Sequence, residues 1–173
     1  MKTKTPKESY TISTQIVLPN DTNVLGNLMG GRLLHWMDIT AAIAAHRHSK
    51  RVVVTASVNH VSFERAINLG DYVTIEAQVS RAFNTSMEVF IEVSVENNIT
   101  GEKVKSNDAS YIFVAVDQVG RPIEVPAITP ETPLDKERYD TALKRKQLSL
   151  LLSGKLKPGE APELRDMFLE KHK

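Results

Sequence analysis

Four long stretches of alternating apolar and polar residues constrain the fold of this chain more than any other feature of its sequence. They cover residues 52–63, 71–82, 86–97 and 103–117. A period of two is typical of half-buried antiparallel strands, because successive side chains point to opposite faces of a sheet. The intervening segments NLGD (68–71) and NNITGE (97–102) are typical of hairpin turns. The pattern therefore predicts an antiparallel sheet.

A single long apolar segment precedes these strands. Residues 31–48 contain no proline, and apolar side chains occupy nearly every position from Leu33 to Ala45. A helix that is apolar on almost every side is buried on most sides. With a first strand at 10–18, the order predicts an α+β fold in which a curved antiparallel sheet wraps around a central helix. Two such sheets can pair edge to edge, so we expect a dimer.

The chain divides into three regions. Residues 1–9 are polar and rich in lysine, and we expect a flexible terminus there. The predicted α+β fold occupies residues 10–134 and ends in an irregular, proline-rich stretch. We expect residues 135–173 to form a C-terminal helical extension, with a charged amphipathic helix over 135–152 and a short helix near 162–171.

Charge and composition argue against several classes of function. The formal net charge is +1, which gives no basic field for nucleic acid. The chain has no cysteine, so disulfides, thiolate nucleophiles and cysteine metal sites are excluded. No apolar run approaches the roughly 20 residues that span a bilayer, and MKTKTPKESY lacks the apolar core of a signal peptide. We therefore expect a cytoplasmic protein that binds neither nucleic acid nor membrane.

A carboxylate in the middle of the apolar helix is the first candidate for chemistry. Asp38 is flanked by Trp36, Met37 and Ile39. A buried carboxylate without a partner is costly, and the interior of a helix is not a capping position for Asp. Two interpretations remain open. Asp38 shares a narrow solvent-facing stripe with His35, or its surroundings tune it as a base or nucleophile.

The loop before the helix favours the second interpretation. Gly30 and Gly31 stand at the predicted helix N-terminus, where free N–H groups and the helix dipole stabilise negative charge. Asp38 lies two helical turns after Gly31, on the same face, so a carbonyl held by these amides would lie near it. Asn23 offers an amide that could polarise a carbonyl or orient a water, although an Asx-turn is the simpler explanation for an isolated Asn.

Several motifs in a fixed order resemble those of one known family. The resemblance is to the cytosolic acyl-CoA hydrolase family of hotdog thioesterases, and four segments carry it: DTNVLGNLMGGRLLHWMD (21–38), TASVNHVSFERAINLGDYV (55–73), NTSMEV (84–89) and VPAITPET (125–132). It extends from about residue 10 to about residue 148. It implies a hotdog fold, hydrolysis of fatty acyl-CoA to free fatty acid and CoA, and no cofactor, since coenzyme A is part of the substrate and product.

The resemblance also implies catalytic residues and their assembly. The catalytic Asn and Asp of the family match Asn23 and Asp38, and in the family the two meet from opposite subunits of a dimer, often within a hexameric trimer of dimers. Asp38 would act as a general base or as a nucleophile, two roles that the sequence leaves open. The amides of Gly30 and Gly31 would polarise the thioester carbonyl.

Further residues match family positions that contact the substrate. They are Thr55, Ser57, Val58 and Asn59 along the channel, and Asn84, Thr85 and Ser86 in a turn that meets CoA. Arg65 and Arg81 are candidates for the CoA phosphates, because guanidinium groups suit phosphate. A solvated surface charge is the alternative for each arginine.

Other functions have less support in the sequence. A hotdog dehydratase or hydratase needs a general base and an acid, typically His with a carboxylate, and only His35 lies near Asp38. A non-catalytic acyl-CoA-binding regulatory module would not need both Asn23 and Asp38. His46 and His48 are two residues apart on a helix and point to different faces, so they predict no metal site. No G-x-S-x-G segment supports a serine hydrolase.

Overall fold

The computed structural model describes residues 2–59, 61–63 and 65–164. The chain forms two compact units, Met1–Thr129 and Pro130–Lys173. The described part of the first unit contains one long helix and five strands, in the order β1 (Thr11–Ile16), α1 (Gly30–Ser49), β2 (Val52–Asn59), β3 (Tyr72–Ala82), β4 (Ser86–Glu96) and β5 (Lys103–Val116). Most boundaries agree with the predicted ones to within two residues. The exception is β2, which ends four residues before the expected position.

The five strands form one antiparallel sheet in the order β1-β3-β4-β5-β2. β2 therefore pairs with β5 and not with β3, so the prediction of a hairpin turn at NLGD is wrong. That segment is a tight turn within a crossover: Asp71 accepts a hydrogen bond from the Asn68 N–H at 2.9 Å, and the Leu69 N–H donates to Gly26 O at 3.1 Å. The hairpin prediction at NNITGE is confirmed, because it joins the paired strands β4 and β5.

The core lies between α1 and the concave face of the sheet. Alternate residues of the three central strands are buried there, and the fully buried ones include Val73, Ile75, Val79, Met87, Val89, Ile91 and Val93. From α1, Leu33, Met37, Ala41, Ala44 and Ala45 are buried in the same layer. Each large apolar side chain buried in this way contributes roughly 1.5–3 kcal/mol to folding before entropy is subtracted. The antiparallel sheet packed around the buried helix confirms the predicted α+β hotdog fold.

The C-terminal end of α1 is fixed by hydrogen bonds. Lys50 adopts a left-handed conformation with φ of 56°, and its N–H donates to His46 O at 2.8 Å. His48, in the last turn, is fully buried, and its Nε2 donates to Pro126 O at 2.7 Å. Burial lowers the pKa of His48 from its ordinary value.

The segment before β1 differs from the flexible terminus that its composition suggests. The Lys4 N–H donates to Ala127 O at 2.9 Å, and Lys4 O accepts from the Thr129 N–H at 2.8 Å. Ser9 is buried, and its Oγ accepts a hydrogen bond from the Val79 N–H at 2.9 Å. Residues 4–9 are thus attached to the rest of the first unit by hydrogen bonds of Lys4 and Ser9, which lysine content does not reveal.

The second unit contains the helix α2 (Pro133–Leu152). Thr132 caps it, because its Oγ1 accepts from the Asp135 N–H while Asp135 Oδ2 accepts from the Thr132 N–H, both at 3.0 Å. α2 begins two residues before the predicted helix. The short helix expected near 162–171 lies mostly outside the described residues. Among those residues, no helix is both long and apolar enough to cross a membrane.

Candidate active site

Asn23 organises the loop between β1 and α1. Its Oδ1 accepts hydrogen bonds from the Leu25 N–H at 2.9 Å and the Asn27 N–H at 3.2 Å. The Asx-turn considered for this residue is therefore present. With the carbonyl oxygen held by the backbone, the Nδ2 group is the part of this exposed side chain that remains able to donate to a ligand. The structural and chemical interpretations of Asn23 are thus compatible.

The N-terminus of α1 lies beside this loop. The helix begins at Gly30 after Met29, which supplies no side-chain cap. The N–H groups of Gly30 and Gly31 belong to the first turn and have no acceptor within the helix itself. A cavity of about 340 Å³ opens here and includes Asn23, Gly30, Leu33, Phe63 and Arg65 in its lining. Backbone donors and an arginine around one cavity suit a ligand with a carbonyl group and negative charge.

Asp38 is half-buried and is held by a neighbouring strand. The Oγ1 of Thr55, in β2, donates a hydrogen bond to Asp38 Oδ1 at 2.7 Å. No described residue donates to the other carboxylate oxygen, Oδ2. Asp38 does not line the cavity that contains Asn23 and Gly30. Within one chain, therefore, the structure joins Asp38 to Thr55 and leaves Asn23 in a separate group.

The strand that carries Thr55 is irregular at that point. The β2–β5 register shifts between Thr55 and Ser57, which is the pattern of a β-bulge. A bulge changes the direction of the neighbouring side chains, and Thr55 is exposed beside it. Ser57 and Asn59 are half-buried, and Val58 is 48% exposed. These four predicted channel residues lie together along an edge strand, since β2 has a partner on one side only.

The remaining predicted CoA contacts lie at the end of the sheet opposite the Asn23 loop. Asn84, Thr85 and Ser86 form the β3–β4 turn, where the Phe83 N–H donates to Ser86 O at 2.8 Å. Thr85 O accepts from Ala115 at the end of β5. The Asn23 loop instead contacts residues 67–69, just before β3 begins. Within one chain the eleven-residue strand β4 separates these two groups.

The two arginines fall into different groups. Arg65 is exposed and lines the cavity near Gly30. Arg81 lies on β3 beside a register shift, and its guanidinium is 5.8 Å from the centre of the Phe83 ring. A guanidinium over an aromatic face is held partly by cation–π attraction. Arg65 thus lies with the Asn23 group, and Arg81 lies near the Asn84–Ser86 turn.

Two residues near the site were not among the predicted ones. The ring of Phe63 covers Gly30, so closely that a Cβ on Gly30 would lie 3.2 Å from it. Tyr111, on the concave face of β5, is buried, and no described residue forms a hydrogen bond with its hydroxyl. Burial, with a smaller contribution from the charge of Asp38, raises the pKa of Tyr111 to about 12. In the sequence both residues are indistinguishable from ordinary core aromatics.

The sequence is similar to those of known acyl-CoA hydrolases. The Thioesterase superfamily profile matches residues 25–102. A Bacillus subtilis protein described as an uncharacterized acyl-CoA thioester hydrolase is 39% identical over 144 residues, which are 83% of this chain and 84% of that protein. Mouse acyl-coenzyme A thioesterase 11 is 35% identical over 144 residues, which are 83% of this chain and 24% of that protein. The chain therefore spans about a quarter of the mouse relative.

Solved structures agree in fold. An apo-hexameric acyl-CoA thioesterase has a TM-score of 0.81 and 39% identity, covering 84% of this chain and 94% of the other. The Staphylococcus aureus acyl-CoA hydrolase, solved with butyryl-CoA, CoA and CoA disulfide, has a TM-score of 0.80 and 34% identity, covering 88% and 94%. The latter has also been solved with alanine in place of one Asp, one Asn or one Thr. The chain belongs to the acyl-CoA hydrolases of the thioesterase superfamily.

Proposed function

We propose that this protein hydrolyses fatty acyl-CoA to free fatty acid and CoA, with Asp38 as the reacting carboxylate and Asn23 supplied by a partner subunit. The observation that carries the proposal is the Asp38–Thr55 pair on the face of α1 that also bears Gly31. This pair lies two turns from N-terminal N–H groups that have no acceptor within the helix. Thioester hydrolysis needs both kinds of group: one that attacks the carbonyl or activates water, and donors that stabilise the resulting oxyanion.

The substituted residues of the S. aureus enzyme support the same assignment. In that protein the Asn and the Asp replaced by alanine are 15 positions apart, and the Asp and the Thr are 17 apart. Asn23, Asp38 and Thr55 have the same residue types and the same spacings. Three residue types at two matching spacings in a chain of the same fold favour equivalent positions.

The geometry suits two forms of the reaction. As a base, Asp38 accepts a proton from water, the resulting hydroxide attacks the thioester carbon, and the C–S bond breaks to release CoA as a thiolate. As a nucleophile, the carboxylate attacks the same carbon, expels the thiolate and forms a mixed anhydride that water then hydrolyses. Both routes need an ionised carboxylate with one oxygen available. Thr55 engages Oδ1 and leaves Oδ2 for the reaction.

A partner subunit completes the site in this proposal. β2 is an edge strand, and its Val52, Val54 and Val58 are 62%, 47% and 48% exposed. On α1, Ile39 and Ile43 are also exposed. Pairing of β2 with its two-fold-related copy would cover this apolar edge and run antiparallel.

Antiparallel pairing explains why the candidate residues fall into separate groups. It would place the Asn84–Ser86 end of one protomer beside the Asn23 and Gly30 end of the other. Asp38, which contacts Thr55 near the middle of β2, would then lie close to the dimer axis. A hexamer built as a trimer of dimers is consistent with the hexameric relative. A rat relative named as cytosolic supports a cytoplasmic location.

Mixing two inactive variants tests the composite site. We expect Asp38→Asn and Asn23→Ala each to abolish thiol release from acyl-CoA. When the two proteins are unfolded together and refolded, half of the dimers are mixed, and each mixed dimer has one intact site. We expect recovery of roughly a quarter of the wild-type rate. Enoyl-CoA serves as a second substrate, since its hydration would indicate the dehydratase instead.

The outcomes separate the elements of the proposal. If mixed dimers form, as shown by mass spectrometry of differently tagged chains, and no activity returns, the two residues act within one subunit. If Asp38→Asn alone retains wild-type hydrolysis, the carboxylate is not the reacting group. Assays on acyl chains of several lengths establish whether fatty acyl groups are the preferred substrates.

A further inference from the structure

Tyr111 carries a buried hydroxyl that the proposed chemistry does not use. The side chain is 1% exposed, and none of the described residues accepts from or donates to its Oη. A buried hydroxyl without a partner costs about 1–3 kcal/mol relative to one that is hydrogen-bonded. Phenylalanine would fill the same space without that cost, so the hydroxyl calls for a functional explanation.

The position of Tyr111 in the sheet places it beside the proposed site. It lies on β5 opposite Val58 of β2, and the residue two positions later on the same face, Phe113, pairs with Thr55. Thr55 is the donor to Asp38. On its other side Tyr111 pairs with Val89 of β4. Tyr111 therefore belongs to the layer of the concave face that supports the Asp38–Thr55 pair from the buried side.

Asp38 dominates the charge around this hydroxyl. Its negative charge adds to the effect of burial in raising the pKa of Tyr111. The facing residues Val58 and Val89 are apolar, and β2 carries no titratable side chain between Val52 and Asn59. On α1 the other titratable side chain within one turn of Asp38 is His35, which is exposed.

We infer that Tyr111 is a positioning residue for Asp38, and that its hydroxyl dipole stabilises the ionised carboxylate from the buried side of the site. A phenolic hydroxyl without a competing acceptor takes, of its two in-plane orientations, the one that turns its hydrogen toward a nearby negative charge. The phenol is neutral at physiological pH, and burial raises its pKa further, to about 12. The inference rests on the proposed function in one respect, that the ionised form of Asp38 is the reactive one.

The sign of the effect follows from this orientation. A dipole whose positive end faces a carboxylate favours the charged form, so removing it makes the carboxylate easier to protonate. In Tyr111→Phe, activity that depends on ionised Asp38 is then lost at a higher pH. We expect the acidic limb of kcat/KM to move up by about 0.5–1 pH unit. Stability should be unchanged or higher, because the variant no longer buries an unpartnered hydroxyl.

The experiment has two readouts. The first is the pH profile of kcat/KM for Tyr111→Phe, with Tyr72→Phe as the matched control that removes a hydroxyl from an exposed position on β3. The second is the protonation midpoint of the Asp38 carboxyl, followed by carbon NMR in the same proteins. If Tyr111→Phe does not fold, 3-fluorotyrosine at position 111 replaces it. That residue keeps the ring and is a stronger donor, so it should move the acidic limb down.

Each outcome supports or contradicts one claim. An upward shift of both readouts in Tyr111→Phe, absent in Tyr72→Phe, supports the positioning role. An unchanged Asp38 midpoint in folded Tyr111→Phe overturns it. If the NMR midpoint shifts in Tyr111→Phe but Asp38→Asn still hydrolyses acyl-CoA, the positioning role stands and the proposed function is overturned.

Discussion

The space around Gly30 is restricted by a neighbouring side chain, and its backbone conformation imposes no such restriction. Neither Gly30 nor Gly31 has a positive φ. A Cβ added to Gly30 would lie 3.2 and 3.3 Å from two atoms of the Phe63 ring, whereas a Cβ on Gly31 would have no neighbour within 4 Å. Adjacent glycines in one motif therefore meet different constraints.

This difference predicts opposite effects on stability. In Gly30→Ala the Phe63 ring must move away from the helix N-terminus, so we expect a lower free energy of unfolding and slower hydrolysis. In Gly31→Ala we expect stability to rise by up to about 1 kcal/mol, because alanine loses less entropy in a helix than glycine does. Chemical denaturation of both variants measures the effect. Equal changes in the two variants would show that the Phe63 contact is unimportant.

The sequence draws attention to some residues of the candidate site and not to others, for physical reasons. Asp38 is conspicuous because a carboxylate inside an apolar helix needs an explanation. Asn23 is not, since the turn that it forms is the ordinary use of an Asn before a helix. Thr55 is identified in the sequence only through the resemblance to the family. Its hydrogen bond to Asp38 depends on β2 lying next to α1 in the fold. Tyr111 fits the core pattern of its strand, so nothing in the pattern indicates an unpartnered hydroxyl.

At the scale of elements, periodicity predicts where strands lie and turn chemistry does not predict which strands pair. NLGD has the composition of a hairpin turn, but β2 is at an edge of the sheet and β3 lies near the other edge. Pairing depends on long-range contacts that short segments do not encode. α2 shows the reverse case: Thr132 and Asp135 form a capping box that the sequence displays and that accounts for its earlier start.

The end of α1 predicts a pH-dependent stability. His48 is buried as a neutral ring, and its pKa lies below the ordinary value of 6.5. The unfolded chain therefore binds a proton more readily than the folded one, and stability falls as the pH drops below about 6.5 toward the folded-state pKa. Urea midpoints at pH 7, 6 and 5 should decrease in the wild type.

Two variants test whether His48 causes this decrease of the urea midpoint with falling pH. His48→Gln keeps a donor for Pro126 O but does not titrate, so the decrease in midpoint between pH 7 and 5 should be smaller. His35→Gln, at an exposed position of the same helix, should retain the wild-type slope. An unaltered slope in His48→Gln would place the pH dependence elsewhere.

At the scale of the whole molecule, activity should depend on the edge of β2. Lysine at Val54 and Val58 places two charges on the exposed edge, and like charges would face each other across a two-fold axis. We expect dissociation in sedimentation velocity and a loss of thiol release of roughly tenfold or more. Val119→Lys makes the same change in the exposed turn after β5 and should alter neither property.

Sedimentation velocity and thiol release test different parts of this prediction. A dissociated variant with full activity would show that each chain holds a complete site. A variant that remains a dimer would place the interface on another surface.

The edge position of β2 also bears on how the chain is made. Among the described residues its sheet neighbour is β5 alone, so a ribosome that has completed Asn59 must continue to Lys103 and beyond before β2 has this partner. During that interval both sides of a valine-rich strand have unpaired backbone groups, which other nascent chains can join. Even the finished chain leaves one side open. Yield in cells should therefore depend on how quickly new chains find one another, and slower synthesis at lower temperature should favour assembly over aggregation.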